Sequence, residues 1–262
     1  MNAKQMELMK KDILSVVTNR QLFVVMLIVP LIFTVVLPTI FILVTLFAPD
    51  VNSEFQRMIE LLPVSARTGN EKIVMLSMFI DNIMPLFFML IPIMASSVMA
   101  AGSFVGEKEK STLETLLYSP LSLTQLFRAK IFACFFVGML VSGISFLVMM
   151  VVIETELFFL IGTVLIPDIS WLIVMLIVAP AISFIAISVT VRGSAKARTM
   201  EESQQRAVFV VFPFIFLIVG QFSGIILINK WIFLGLGLVL ALIAVLLMKG
   251  SVKNLTYEKM LK

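Results

Sequence analysis

The stretch Gly106-Glu-Lys-Glu-Lys-Ser-Thr-Leu-Glu-Thr-Leu-Leu-Tyr-Ser-Pro-Leu-Ser-Leu-Thr-Gln-Leu-Phe-Arg-Ala-Lys130 is a long polar-rich segment lying between two apolar runs. Its pattern predicts two short helices separated by a break. Ser111-Thr112-Leu113-Glu114 is a capping box: the serine oxygen accepts the orphan amide three residues on, and the glutamate reaches back. Leu113, Leu116 and Leu117 follow at helical spacing and make one apolar face. Ser119-Pro120 ends that helix, because proline disfavours the helical conformation in the residue before it. Ser122-Leu123-Thr124-Gln125 is a second capping box and opens the next helix. A charged, capped elbow between two membrane spans reads as a docking surface for something in the aqueous phase.

The runs on either side of the elbow set the class. The chain has 262 residues, 60% of them hydrophobic and 14% charged, with a mean hydropathy of +1.11. A soluble domain is roughly 45–50% apolar and about 25% charged. The runs lack strict alternation and are too long for barrel strands, so the expected fold is an all-α integral membrane protein. A cleavable signal peptide is not expected, because a polar helix comes first and the first apolar run is too long for one. The single cysteine, Cys134, lies inside an apolar run and is expected to be a buried small hydrophobe. The excess of four positive charges falls between spans, where membrane topology accounts for it, so no nucleic-acid partner is implied.

Taken in order, residues 2–20 place Met6, Leu8, Met9, Ile13, Leu14, Val16 and Val17 among Lys4, Glu7, Lys10, Lys11 and Asp12. That spacing gives an amphipathic helix, either lying in the membrane interface or solvated. Six spans follow, over about 21–48, 83–105, 130–153, 169–191, 207–228 and 231–248. Pro30 and Pro38 kink the first, and Pro85 and Pro92 the second. The polar stretch 49–72 joins them, with Asp81-Asn82 marking Ile73–Ile80 as the end of that outer loop. The apolar segment Leu157–Ile166 is too short to cross and is either an extension of span three or re-entrant. Arg192–Arg206 is a second polar loop, and Lys249–Lys262 a basic tail.

Basic residues alternate across these spans. Lys4, Lys10, Lys11 and Arg20, then Lys108, Lys110, Arg128 and Lys130, then Arg192, Lys196, Arg198 and Arg206, then the tail all fall on one side. The positive-inside rule places that side, with both termini and the elbow, in the cytoplasm of a multi-pass cell-membrane protein.

Much chemistry is excluded. There is no histidine, hence no Ser-His pair for acyl transfer and no histidine-containing zinc cluster. The elbow lacks the Gly-Lys-Ser/Thr end of a phosphate loop and no strand precedes it, so it does not bind ATP by that motif. Asp81 and Glu154 sit at span rims, and the spans carry almost no other ionisable side chain, which disfavours a stand-alone secondary carrier. Gln221 is a lone mid-span amide, either an interhelical hydrogen bond or a substrate ligand.

The elbow from Glu107 to Ser122 resembles the signature of ABC-2 type permeases, the membrane subunits of one class of ABC exporters. The matching residues are Glu107, Glu109, Thr112, Leu113, Glu114, Leu116, Leu117, Ser119, Pro120 and Ser122, while Ser111 stands where glycine is common. The layout is also similar: an N-terminal interfacial helix, six spans, and the elbow between spans two and three. The resemblance implies a homodimer or heterodimer paired with separate cytosolic ATPase subunits. The elbow would be the coupling helix, seated in an ATPase groove through its three leucines. Glu107, Glu109 and Glu114 would meet basic residues on the groove's rim, and Thr112 and Pro120 would belong to the same ATPase-coupling set. ATP and magnesium would belong to the partner, and this chain would be neither an enzyme nor the holder of a cofactor. Pro30, Pro38 and Gln221 are candidates for the substrate path. The short 49–72 connection implies no large extracellular domain. The 18 Met and 23 Phe suit a lipophilic or amphipathic cargo, such as a drug or membrane-active peptide, though they equally suit lipid-facing walls. Sodium extrusion, to which some short members are linked, stays open.

Overall fold

The computed structural model describes residues 3–47, 71–109, 122–165, 167–194, 197, 199–223 and 229–253. Every regular element among them is helical. Helix α1 (Ala3–Thr18) precedes span one, which is α2 (Arg20–Leu31), a π turn (Ile32–Val36) and α3 (Leu37–Phe47). Span two is α4 (Glu71–Met78), a π turn (Phe79–Ile83), α5 (Met84–Phe88) and α6 (Leu90–Glu109). Span three is one helix, α7 (Leu123–Ile161). Span four is α8 (Ile169–Ile173), a π turn (Val174–Val178) and α9 (Ala179–Ser194). Next come α10 (Met200–Ala207), a 3-10 turn (Val208–Val210) and α11 (Phe212–Phe222), then α12 (Lys230–Lys253). Among the described residues five helices are long and apolar enough to cross a membrane, or six if the pair 200–210 and 212–222, bent by 41°, is one span; we number that pair span five and α12 span six.

Span two is the centre, with 83% of its most apolar stretch buried, against 17% for span six. It packs on spans three and four, and span four packs on span six. Small residues let these backbones approach. A methyl group added at Gly138 of span three would lie 2.1 Å from Ser96 Oγ of span two. Spans one, three, five and six carry long exposed apolar stripes, such as Ile28, Ile32, Ile40 and Leu43 on span one. Stripes of that size on a chain of this composition face lipid.

The structure corrects three expectations and decides between two alternatives for a fourth. Ile73–Ile80 is not loop: it is helical and forms the far end of span two, with Leu76, Phe79 and Ile80 in the core. The second half of the elbow is not a separate helix. The capping box at Ser122 is formed, with Gln125 N–H donating to Ser122 Oγ (3.3 Å) and Ser122 N–H to Gln125 Oε1 (3.1 Å), but it starts span three itself. That span continues to Ile161, where Gly162 at φ 72° ends it in the left-handed conformation glycine tolerates, so Leu157–Ile161 is an extension of the span. Finally, Met200–Ala207 of the second polar loop is helical and forms the first part of the bent pair.

Proline placement explains the irregular turns. A proline cannot donate to the carbonyl four residues back, and its ring crowds that carbonyl. Pro38, Pro85 and Pro180 therefore deny Thr34, Asp81 and Leu176 their α-helical donors, and each of these residues is the middle of a π turn. Spans three and six, between residues 123–161 and 230–253, hold no proline and run unbroken.

Candidate functional site

The elbow's two ends lie at Glu107, near the end of α6, and at Ser122, where α7 begins. Between them, Thr112, Leu113, Glu114, Leu116, Leu117 and Pro120 lie outside the described residues, as does the capping box at Ser111. Glu109 is the last residue of α6. What the structure does place is the foot of the elbow, and it is held by buried charge.

Lys130 sits two turns into α7, on the same helical face as Leu126, Phe127, Cys134 and Val137, all buried. Its side chain is 2% exposed, yet it carries an ammonium. Four oxygens surround Nζ. Asp12 Oδ2 lies at 3.1 Å, Glu107 Oε2 at 3.0 Å, the Ser103 carbonyl at 2.8 Å and Ser103 Oγ at 3.1 Å. Ser103 Oγ in turn donates to Asp12 Oδ2 at 3.0 Å. The Phe104 ring lies 5.6 Å from Nζ, within cation–π range, and stacks on Phe127. Glu107 Oε1 also accepts from Lys11 at 3.3 Å, and Lys11 is largely exposed.

The cluster thus holds two cations and two carboxylates and is neutral as a group. A buried ammonium is tolerable only with such partners, since moving an unpaired charge out of water costs several kcal/mol after relaxation. The pairing joins three elements: Asp12 and Lys11 from α1, Ser103 and Glu107 from span two, and Lys130 from span three. Gln5 of α1 adds a fourth tie, donating to the Gln125 carbonyl at 3.4 Å. Glu107 therefore has its partners within the chain, and α1 is fastened to both ends of the elbow.

Sequence reasoning put Asp12 on the polar side of α1, where the structure buries it to 3% exposure. The signal was present. Leu8, Met9 and Val16 flank Asp12 at i−4, i−3 and i+4, so the carboxylate lies in the apolar stripe. Lys130 breaks the buried stripe of α7 in the same way. A charge at a core phase on each of two helices is the mark of a buried pair.

The candidate path residues are placed differently. Pro30 and Pro38 are buried in span one on either side of its π turn, and Thr34 Oγ1 returns a bond to the Pro30 carbonyl at 3.0 Å. Gln221 is buried in α11, whose neighbour Phe222 meets Phe87 of α5 edge-on. Span one packs on spans two and three, and α11 on α5. Among the described residues no group of three or more His, Cys, Asp or Glu could hold a metal ion.

At the same end of the bundle, a methyl group at Gly106 would touch Met200 of α10 at 3.1 Å, so the second polar loop sits beside the end of span two. Arg192 of span four donates from Nη2 to the Leu247 carbonyl of span six at 2.8 Å. The model of the ABC-2 family transporter protein matches residues 6–230. The chain belongs to the ABC-2 transporter family. No curated protein and no solved structure matches it. The match begins inside α1 and ends at the start of span six, so it takes in the whole charge cluster and the elbow. The protein is a multi-pass membrane transport component of a family that works with ABC ATPases.

Proposed function

We propose that the chain is the permease subunit of an ATP-driven exporter, with the elbow as the place where an ATPase delivers work. Both termini and the elbow face the cytoplasm in this reading, and two copies, or a copy and a homologue, enclose the path. The observation that carries it is the Lys130 cluster at the elbow's foot. A permease without an ATP site receives work by contact, and a push is useful only if the pushed segment is rigidly joined to the spans. Lys130 joins the entry and exit of the elbow to each other and to α1. Leu113, Leu116 and Leu117 are the anchors in the ATPase groove, at roughly 1.5–3 kcal/mol for each side chain fully buried. Glu109 and Glu114 meet the rim, while Glu107 serves inward. The exposed Met6, Leu14 and Val17 of α1 lie in the membrane interface, so that α1 rides on the bilayer while it follows the elbow.

The Met- and Phe-rich composition, 18 Met and 23 Phe, suits a lipophilic or amphipathic cargo. The test is co-purification with candidate ATPases, then ATP hydrolysis in liposomes with and without candidate cargo. Stimulation by an apolar cargo supports the reading. Transport by the permease with no ATPase present contradicts it.

A further inference from the structure

The three π turns divide their spans in a coordinated way. In span one the segment beyond the turn is α3; in spans two and four the segments before the turns are α4 and α8. All three segments lie at the end of the bundle opposite the elbow, because span two leads from α4 towards Glu107 and span three leads from Ser122 towards α8. These segments bind one another. Phe41 of span one stacks on Phe79 of span two with centroids 3.5 Å apart. Lys72 Nζ donates to the Leu46 carbonyl at 2.8 Å. Trp171 Nε1–H donates to the Ile80 carbonyl at 3.2 Å, and Asp168 N–H to Asp81 Oδ1 at 3.2 Å. The Trp171 bond matters most. Ile80 lies in a π turn against a proline, where the helical ladder is broken, and inside lipid a backbone carbonyl without a partner is costly.

We propose that α3, α4 and α8 form one far-end unit that swings as a body about three joints, the π turns that Pro38, Pro85 and Pro180 impose. A helix bends most easily where its ladder is interrupted, and π turns recur at functional places. Here the three interruptions belong to segments already cross-tied, so the bending is shared. Unbroken span three is the post against which the unit closes. Two contacts latch it there: Thr39 Oγ1 donates to Glu156 Oε1 at 2.5 Å, and Trp171 packs on Phe146 with centroids 5.3 Å apart. Glu156 Oε2 is buried without a hydrogen bond, so the latch holds the carboxyl by one oxygen only. Opening releases Thr39 and Trp171 from span three while Trp171 keeps the Ile80 carbonyl. The hinge rests on this geometry alone; its use as the outward gate of an exporter rests on the proposed function.

The test uses spin labels at exposed positions in the full chain, in lipid nanodiscs: Leu43 on α3, Leu172 on α8, and Val151 on span three. In the permease alone, the Leu43–Leu172 distance distribution should be narrow. Leu43–Val151 and Leu172–Val151 should be broader, by about 5 Å or roughly one helical turn. Pro180→Ala, or Pro38→Ala should the first fail to fold, should narrow the broad pairs; Thr39→Val should shift both to longer distances. Trp171→Phe keeps the ring but removes the N–H, and should broaden Leu43–Leu172. Equal widths for all three pairs, or no response to either proline variant, overturn the hinge. Adding an ATPase and trapping nucleotide should move the two Val151 distances together. A coupled, cargo-stimulated complex in which they stay fixed overturns the gate but leaves the permease reading standing. Failure of any ATPase to bind counts against the permease reading, and the nanodisc distances still decide the hinge.

Discussion

Lys130→Met removes the one ammonium that Asp12 and Glu107 share. Methionine fills nearly the same space, so little of the effect comes from a cavity. The loss is electrostatic. Two carboxylates that each sat about 3 Å from one nitrogen are left facing each other, with Ser103 still donating to Asp12 and the largely exposed Lys11 still pairing with Glu107. Breaking a buried pair by removing one partner costs about 3–5 kcal/mol. At roughly 2–4 °C per kcal/mol for a chain of this size, the apparent melting temperature should fall by about 6–20 °C. The assay is a thermal challenge of detergent-solubilised protein read by size exclusion. Asp12→Asn alone should also destabilise, because it leaves Lys130 short of a charge. In Lys130→Met/Asp12→Asn the loss should be smaller than the sum of the single losses, since the second change removes one of the stranded carboxylates. A single Lys130→Met variant melting within a degree or two of wild type would refute the claim that this cluster holds α1, span two and span three together. So would strict additivity in the double variant.

Three further outcomes are expected. Lys11→Met should cost less than about 1 kcal/mol and lose its effect at high salt, because Lys11 is 58% exposed where it meets Glu107. Gly138→Val should lower the melting temperature through overpacking against Ser96, by about 1–3 kcal/mol, and Ser96→Gly should recover part of the loss. Cysteines placed at Thr68 and Ser251 should label from opposite sides of intact cells, Thr68 from outside; labelling from one side would end the alternating arrangement.

Much of the fold was legible because lipid is a severe solvent: long apolar runs must be helices, and charge fixes where they stop. Asp81-Asn82 has the composition of a loop boundary, but a π turn absorbs that pair inside a continuous span, with Asp81 taking a bond from Asp168. The capping box at Ser122 is real, but a box says where a helix begins and not how far it runs. The site was half legible. The elbow's leucines and Pro120 stood out locally, whereas the cluster at its foot joins Asp12 to residues 91 and 118 positions away. No local spacing brings Asp12 to Ser103 and Lys130. Only the phase of each charge on its own helix hinted at burial, and phase does not name a partner.

The central claim is that work enters at the elbow. Its most direct measurement is site-specific photocrosslinking from Leu116 to co-expressed candidate ATPases, repeated with Glu109 and with Leu242 of span six as a lipid-facing control, which is exposed. The account predicts a crosslink from Leu116 to an ATPase subunit, none from Leu242, and loss of ATPase co-purification in Leu116→Asp at unchanged permease abundance. A Leu116→Asp permease of normal abundance that still binds its ATPase and transports would contradict it.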